Sequence, residues 1–301
     1  MKDRTGYKAS GSVRYSRGFT LVEMAVIAPI VVLLIGAFIA LIVNLTGNVM
    51  SARGKNVLVY DTQDALSRIE DDVKLSSTFL AVNNIDLSST KQGYRDYPST
   101  GTTGSTTNFT NVSSTSSASI ILNMFVTDNN PLYGTSNVIY LANQPNACTT
   151  AAEYSKNTPM TANVVYFVDN GTLWRRVLMP ATYATASTYC GSKAPWQLPT
   201  CANGYIASQR PFCKSSDEAL LSDIDTNGFT FQYYSSASST TPDATAVNTA
   251  SSNATRDSAL QADTTIEVTL STRKTIAGDD ISHSASIRAT RLDANASTIN
   301  N

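Results

Sequence analysis

A single histidine, His283, in 301 residues leaves little material for a catalytic triad or a histidine-ligated metal. The chain has no G-x-S-x-G, no glycine-rich phosphate loop and no H-E-x-x-H, so an enzymatic reading has no motif to stand on. Cysteine is scarce as well, and its four positions include no C-x-x-C pair, which removes the usual zinc spacings. Charged residues make up only 15% of the chain. No basic stripe marks a nucleic-acid footprint, and the Ser/Thr-rich C-terminal part is mildly acidic.

What charge there is lies unevenly. Residues 1–18 carry Lys2, Arg4, Lys8, Arg14 and Arg17 against Asp3 alone, while the remainder has more acids than bases. Directly after this basic stretch, residues 24–43 contain no charged side chain. As a helix, twenty residues rise roughly 30 Å, about the hydrocarbon thickness of a bilayer. One membrane span is the economical reading, and the positive flank places the N-terminus on the cytoplasmic side with the large C-terminal part outside.

Three ordinary explanations of "SRGFTLVEMAVIAPIVVLLIGAFIALIV" compete. A secretory signal peptide has a shorter apolar region and a small-residue cleavage site, and "NLTGNVMSARGKNVLVY" offers no clean one. A plain signal anchor has no use for Glu23, because an unpaired carboxylate near a membrane costs a few kcal/mol and usually meets a partner. A buried helix fits neither the length nor the basic flank.

Arg17, Gly18, Phe19, Thr20, Leu21, Val22 and Glu23 together resemble the prepilin cleavage and methylation motif of type IV pilins and type II secretion pseudopilins. The resemblance implies a leader at residues 1–18, cut between Gly18 and Phe19 by a prepilin peptidase, and methylation of the new amino terminus on Phe19. It further implies a transmembrane and assembly helix over 19–43, in which Thr20, Leu21, Val22 and Glu23 form the assembly signal. Glu23 would meet the amino terminus of a neighbouring subunit as subunits pack from the bilayer into a filament with the help of a membrane platform. Pro29 stands earlier than the helix-breaking proline of most pilins and should kink or loosen the helix where its ring opposes the carbonyl of Ala25. A glutamate followed by a proline at this distance also resembles the TadE-like pseudopilins of tight-adherence pili. The rival of a different class is a membrane-anchored binding or adhesion protein that never enters a filament.

Beyond the span, residues 44–80 read as an amphipathic helical extension with weak spots at Gly47 and Gly54. Leu58, Thr62, Ala65, Leu66, Ile69 and Val73 fall on one side at three- and four-residue spacing. Asp64, Arg68, Glu70, Asp71 and Asp72 fall on the rest, and "RIEDDVK" reads as a solvated face. Residues 81–301 read as a β-rich extracytoplasmic domain. It opens with a long polar loop over 97–117. Strands follow in "ASIILNMFV", "SNVIYLA" and "GFTFQYY", with a hairpin in "ANVVYFVDNGTLWRRVLMP" turning at Asp169, Asn170 and Gly171. "TTIEVTLSTRK" and "SASIRATRL" form a second hairpin-like pair whose alternation implies one buried and one wet face. The expected fold class is α+β, a long N-terminal helix on a mainly antiparallel sheet domain. "VVYFVDNGTLWRR" is similar to a pattern in J-type minor pseudopilins, which implies a large minor subunit of pilin-like fold.

Cys148, Cys190, Cys201 and Cys213 all lie in the part expected outside, where an even number suggests two disulfides of open connectivity. Trp196, Tyr205 and Phe212, inside "CGSKAPWQLPTCANGYIASQRPFC", read as aromatics packed over a disulfide loop rather than a contact patch. Asp223, Asp225, Asn227 and Gly228 match the opening of a calcium loop, but the closing position is Tyr234. Either Glu218 or Asp243 supplies a ligand from elsewhere, or the run is a plain turn before a strand. Asn108, Asn111 and Asn170 head N-x-S/T sequons of the kind that arise by chance in such a composition. No cofactor is otherwise expected. The partners implied are sister subunits, the peptidase, the assembly platform and the bilayer; DNA or other surfaces have no support in the residues.

Overall fold

The structure, a computed structural model, describes residues 20–85, 109–113, 118–141, 158–179, 189–190, 195–200 and 217–292. It divides into two units, Met1–Ala52 and Arg53–Asn301. Helix α1 (Leu21–Leu75) contributes to both.

In the first unit the described residues are almost all helix α1, apolar on every side. Leu21, Val32, Leu33, Phe38 and Val43 are among its large exposed side chains. The most apolar stretch is wholly unburied and is long and apolar enough to cross a membrane. The helix continues through Pro29, the position expected to loosen it.

In the second unit the remainder of α1 lies on antiparallel sheets, as an α+β domain. Its buried residues are Leu58, Thr62, Ala65, Leu66, Ile69, Asp72 and Val73, the expected stripe with one addition. The helix ends at Leu75 rather than near residue 80, because the Ser76 hydroxyl donates to the Val73 carbonyl and competes with the backbone ladder. The chain turns at once into β1 (Ser76–Phe79). β2 (Ser119–Phe125) pairs with it and with β5 (Thr161–Asp169), which pairs in turn with β6 (Thr172–Leu178). β8 (Glu218–Leu221) closes a five-stranded sheet of order β1, β2, β5, β6, β8. A small companion sheet of two-residue strands, β3 (Tyr140–Leu141), β4 (Thr158–Pro159) and β7 (Tyr189–Cys190), holds all that "SNVIYLA" yields as strand. The third sheet orders β9 (Ile224–Tyr234), β10 (Thr265–Ile276) and β11 (Asp279–Thr290) as β11, β10, β9.

Both predicted hairpins form. β5 and β6 turn through Asn170 and Gly171, both left-handed, the geometry that matches the twist of the strands. β10 and β11 are paired over their full lengths and turn at Ala277 and Gly278. The tip of this second hairpin explains Gly54. A Cβ there would lie 2.0 Å from Ile276 Cδ1, so the glycine that weakens α1 is also what lets the hairpin approach it. Two short elements escape the sequence pattern, the single turn α2 (Ala244–Val247) and α3 (Asn253–Ala262). α3 is capped by the Ser252 hydroxyl, which accepts from the Thr255 amide.

The central sheet is covered on both faces, which is why its strands read as near-continuous apolar runs. Ile120, Leu122, Val164 and Tyr166 belong to the cluster shared with α1 and the third sheet. Ile121, Val165, Phe167 and Leu178 pack on the opposite side with Phe109. Phe109, Asn111 and Ser113 come from the stretch expected to be a polar loop. Phe109 is buried, the Asn111 side chain donates to the Leu80 carbonyl and the Tyr233 hydroxyl, and the Ser113 hydroxyl accepts from the Phe231 amide. The burial of Asn111 removes its sequon from the surface, whereas Asn170 is exposed and Asn108 lies outside the described residues.

"RIEDDVK" is not a solvated face throughout, because Asp72 is buried. Its carboxylate accepts from Arg175 Nε at 2.6 Å and from the Tyr166 hydroxyl at 2.5 Å. Burial, and then the charge of Asp72, push the Tyr166 hydroxyl well above its ordinary value. On the other face of the same sheet Arg176 makes a fork with Asp217, at 2.9 and 2.6 Å, and lies over Phe109 and Phe167. Asp72→Ala leaves the buried Arg175 charge only its longer 3.5 Å contact to Glu218 and should cost about 3–5 kcal/mol. The double replacement Asp72→Leu with Arg175→Met should recover most of that loss. Urea unfolding of the full chain in detergent measures both, and equal losses in the two variants would contradict the assignment.

A second prediction concerns acidity. Asp263, at the C-terminal end of α3, is buried beside Arg291; burial and then the charge of Asp243 raise its carboxyl to about 6. A folded-state value above the unfolded one means that the fold binds the proton more tightly, so protonation stabilises it. The penalty is present above pH 6 and disappears as pH falls toward 4. Arg291 keeps its bonds to the carbonyls of Ser77, Gln261 and Asp263 whatever the side chain at 263. Asp263→Asn should therefore raise the melting temperature at pH 7.5 and lose that advantage near pH 4, as followed by thermal unfolding across that range.

Candidate functional site at the start of the apolar helix

Gly18 and Phe19 lie outside the described residues, which begin at Thr20. Thr20 caps the helix. Its amide and its hydroxyl both donate to Glu23 Oε2 at 2.9 Å, the Glu23 amide donates back to Thr20 Oγ1 at 3.3 Å, and the Met24 amide donates to the Thr20 carbonyl. This reciprocal arrangement is a capping box, in which side chains satisfy N–H groups that the first helical turn leaves without partners. The sequence carries its signature, threonine with glutamate three residues on, although the prepilin resemblance assigns Glu23 an intermolecular partner only. An acid in the first turn also suits the positive end of the helix dipole.

Thr20, Leu21, Val22 and Glu23 are all exposed. A carboxylate held only by an exposed cap sits at the head of an apolar surface that no described residue covers. Water is a poor solvent for such a surface, and lipid tails or apolar faces of other protein chains are good ones. By length and composition the segment could span a membrane.

The other candidate positions resolve differently. Asp223 accepts from Lys274 Nζ at 2.8 Å, a bond that holds its carboxyl below the usual range. Asp225 accepts from the Thr226 amide and lies 3.5 Å from Arg273. Asn227 is exposed, with φ of 58°. Tyr234, at the closing position of a calcium loop, donates to Glu267 and Gln232. Of the two substitute ligands, Glu218 is 3.5 Å from Arg175 and Asp243 caps α2. Among the described residues no group of three or more His, Cys, Asp or Glu side chains is placed to hold a metal ion. The run Asp223, Asp225, Asn227 opens β9 as an irregular turn whose acids face the basic side chains of β10.

The disulfide expectation lies outside the described side chains: Cys148, Cys201 and Cys213 are not among the described residues, and Cys190 is described only through its backbone pairing with Tyr140 in β7. Tyr205 and Phe212 are likewise outside. Trp196 is half-buried and its amide donates to the Thr127 carbonyl.

Removal of the cap by Thr20→Ala should destabilise the first turn of α1 by about 1 kcal/mol, and Thr20→Ser should restore it. Amide exchange of residues 21–24 in detergent micelles reads the effect directly; protection unchanged in the alanine variant would show that the cap does not hold the turn.

No family model matches this chain, and no characterised protein or solved structure matches it either.

Proposed function

We propose that the protein is a minor pilin or pseudopilin, a structural subunit of a type IV pilus-like or type II secretion filament, made as a precursor and trimmed after Gly18. The observation that carries this reading is the sequence from Arg17 to Glu23 set at the head of an uncovered apolar helix. A cytoplasmic peptidase would release Phe19 as a new cationic amine. Glu23, exposed and bound only within its own turn, would then be the charge that a neighbour's amine meets during assembly. The later residues of α1 support a subunit role, because they are buried on antiparallel sheets and leave the apolar part for lipid before assembly and for sister helices after it. The subunit needs no active site of its own in this reading.

Intact-mass and N-terminal analysis of membrane fractions should find a chain that starts at methylated Phe19. A retained Met1 would overturn the proposal in favour of a membrane-anchored protein that stays out of filaments. The role of the charge separates from that of the cap by comparing two variants. Glu23→Gln keeps a capping side chain but removes the charge, and Glu23→Ala removes both. Both should be cleaved, and both should enter sheared filaments poorly; normal incorporation of the glutamine variant would assign Glu23 to capping alone.

A further inference from the structure

A cleft of about 290 Å³ lies in the second unit between the β5–β6 turn and the irregular start of β9. Its lining combines two chemistries. Val168 and Ile224 supply apolar surface, while Asn170, Asp225 and Asn227 supply amide and carboxylate groups. The two loops are fastened to each other and to β10. The Ile224 amide donates to the Gly171 carbonyl at 2.9 Å, and the Arg273 amide donates to the Asp223 carbonyl at 2.8 Å. Close approach is built in at Gly228, where a Cβ would lie 2.4 Å from the Ser271 carbonyl oxygen.

The backbone around the cleft is left-handed at three positions. Asn170, Asp223 and Asn227 all have positive φ, at 49°, 60° and 58°, in a chain whose described residues contain one other such non-glycine residue, Ala277. Asn and Asp accept this conformation more readily than other side chains, and at Asn170 it is the ordinary geometry of the hairpin turn. Together with the fastenings just described, it holds exposed amide side chains beside an apolar floor without waiting for a ligand to order them.

The chemistry of the lining selects a ligand class. Asp225 disfavours phosphate and other anions, including nucleic acid. A bare cation is disfavoured because Lys274 and Arg273 already face Asp223 and Asp225. Amides and a carboxylate above a hydrocarbon floor suit a molecule with hydroxyl groups on its edges and C–H bonds on one face. The volume, about 290 Å³, falls just below the range of about 300 to 1,000 Å³ usual for small-molecule sites and matches a single sugar ring. We propose that this cleft binds a neutral saccharide, as a free hexose or as the terminal unit of a longer glycan. The proposal stands apart from the filament reading, since it uses only the second unit.

The test uses the full chain in a detergent without a sugar headgroup, with glucose, galactose, mannose and N-acetylglucosamine as probes and saturation-transfer NMR as readout. At least one of the four should bind in the millimolar range. Asn170→Gly with Asn227→Gly removes both amides while glycine keeps the left-handed backbone, so the fold is retained and affinity should fall about tenfold or more. Asp225→Ala is a second variant with the same expectation, should the first melt early. Transfer to none of the four sugars, undiminished binding in the variants, or displacement of the sugar by inorganic phosphate would each overturn the proposal.

Discussion

The second unit depends on the seating of the helix on the central sheet, and one buried ion pair decides where it seats. An apolar stripe such as Leu58, Ala65, Ile69 and Val73 would tolerate a slide along β-strand side chains at modest cost, because dispersion and burial are not directional. The pair of Asp72 with Arg175 tolerates none. Its 2.6 Å bond joins residues 103 apart in the chain, and a shift of one helical turn would strip Asp72 of its cation and leave Arg175 only its 3.5 Å contact to Glu218. The neighbouring arginine does the same for the far side. Because successive residues of a strand point to opposite faces, Arg175 and Arg176 in β6 address two different layers, and each finds its own buried acid. β6 is covered on both faces, so neither side chain reaches water by extending its stem, and both pairs must be made inside.

Features that depend on local spacing were readable in the sequence. The stripe of α1, the turn at Asn170 and Gly171, and the pairing of the last two strands follow from periods of 3.6 and 2 and from residues that accept positive φ. Features that depend on distant partners were not. Helical spacing sets Asp72, three residues after Ile69 and seven after Ala65, on the buried side and Asp71 off it, but nothing local names the arginine on β6 that pairs with it. Asn111 and Phe109 are a similar case: a Ser/Thr-rich context marks a loop, and the burial of these two residues comes from the sheet and β9 that they meet. α3 was hidden for another reason. Its apolar side is narrow, and much of what it buries is Arg256, whose guanidinium donates to the carbonyls of Ala246 and Asn111.

Two of the helix's carboxylates are thus of opposite character. Asp72 is buried, doubly bound and fixed in place, and it belongs to the architecture. Glu23 is exposed and bound to a threonine three residues earlier. By sequence alone Glu23 is the anomaly, an acid at the edge of an apolar run, while Asp72 passes for one more surface charge. With the helix and its neighbours in place the ranking reverses, because Glu23 has an ordinary local explanation and Asp72 has only a distant one.

That local explanation sharpens the proposed assembly role. An exposed capping interaction is worth about 1 kcal/mol, and its loss frays one turn without reaching the core. An amine and a carboxylate brought together away from water attract far more strongly than they do across an exposed cap, although each first gives up its hydration. Exchange of Thr20 for a neighbour's amino terminus would therefore cost the subunit little and reward only the correctly placed neighbour. The cap holds the carboxylate in one orientation at the very start of the helix, so that the charge waits at a defined height along its axis. In the proposed filament that height is what a second helix would have to match, and the same residue would serve first as a helix cap and then as the register mark between subunits.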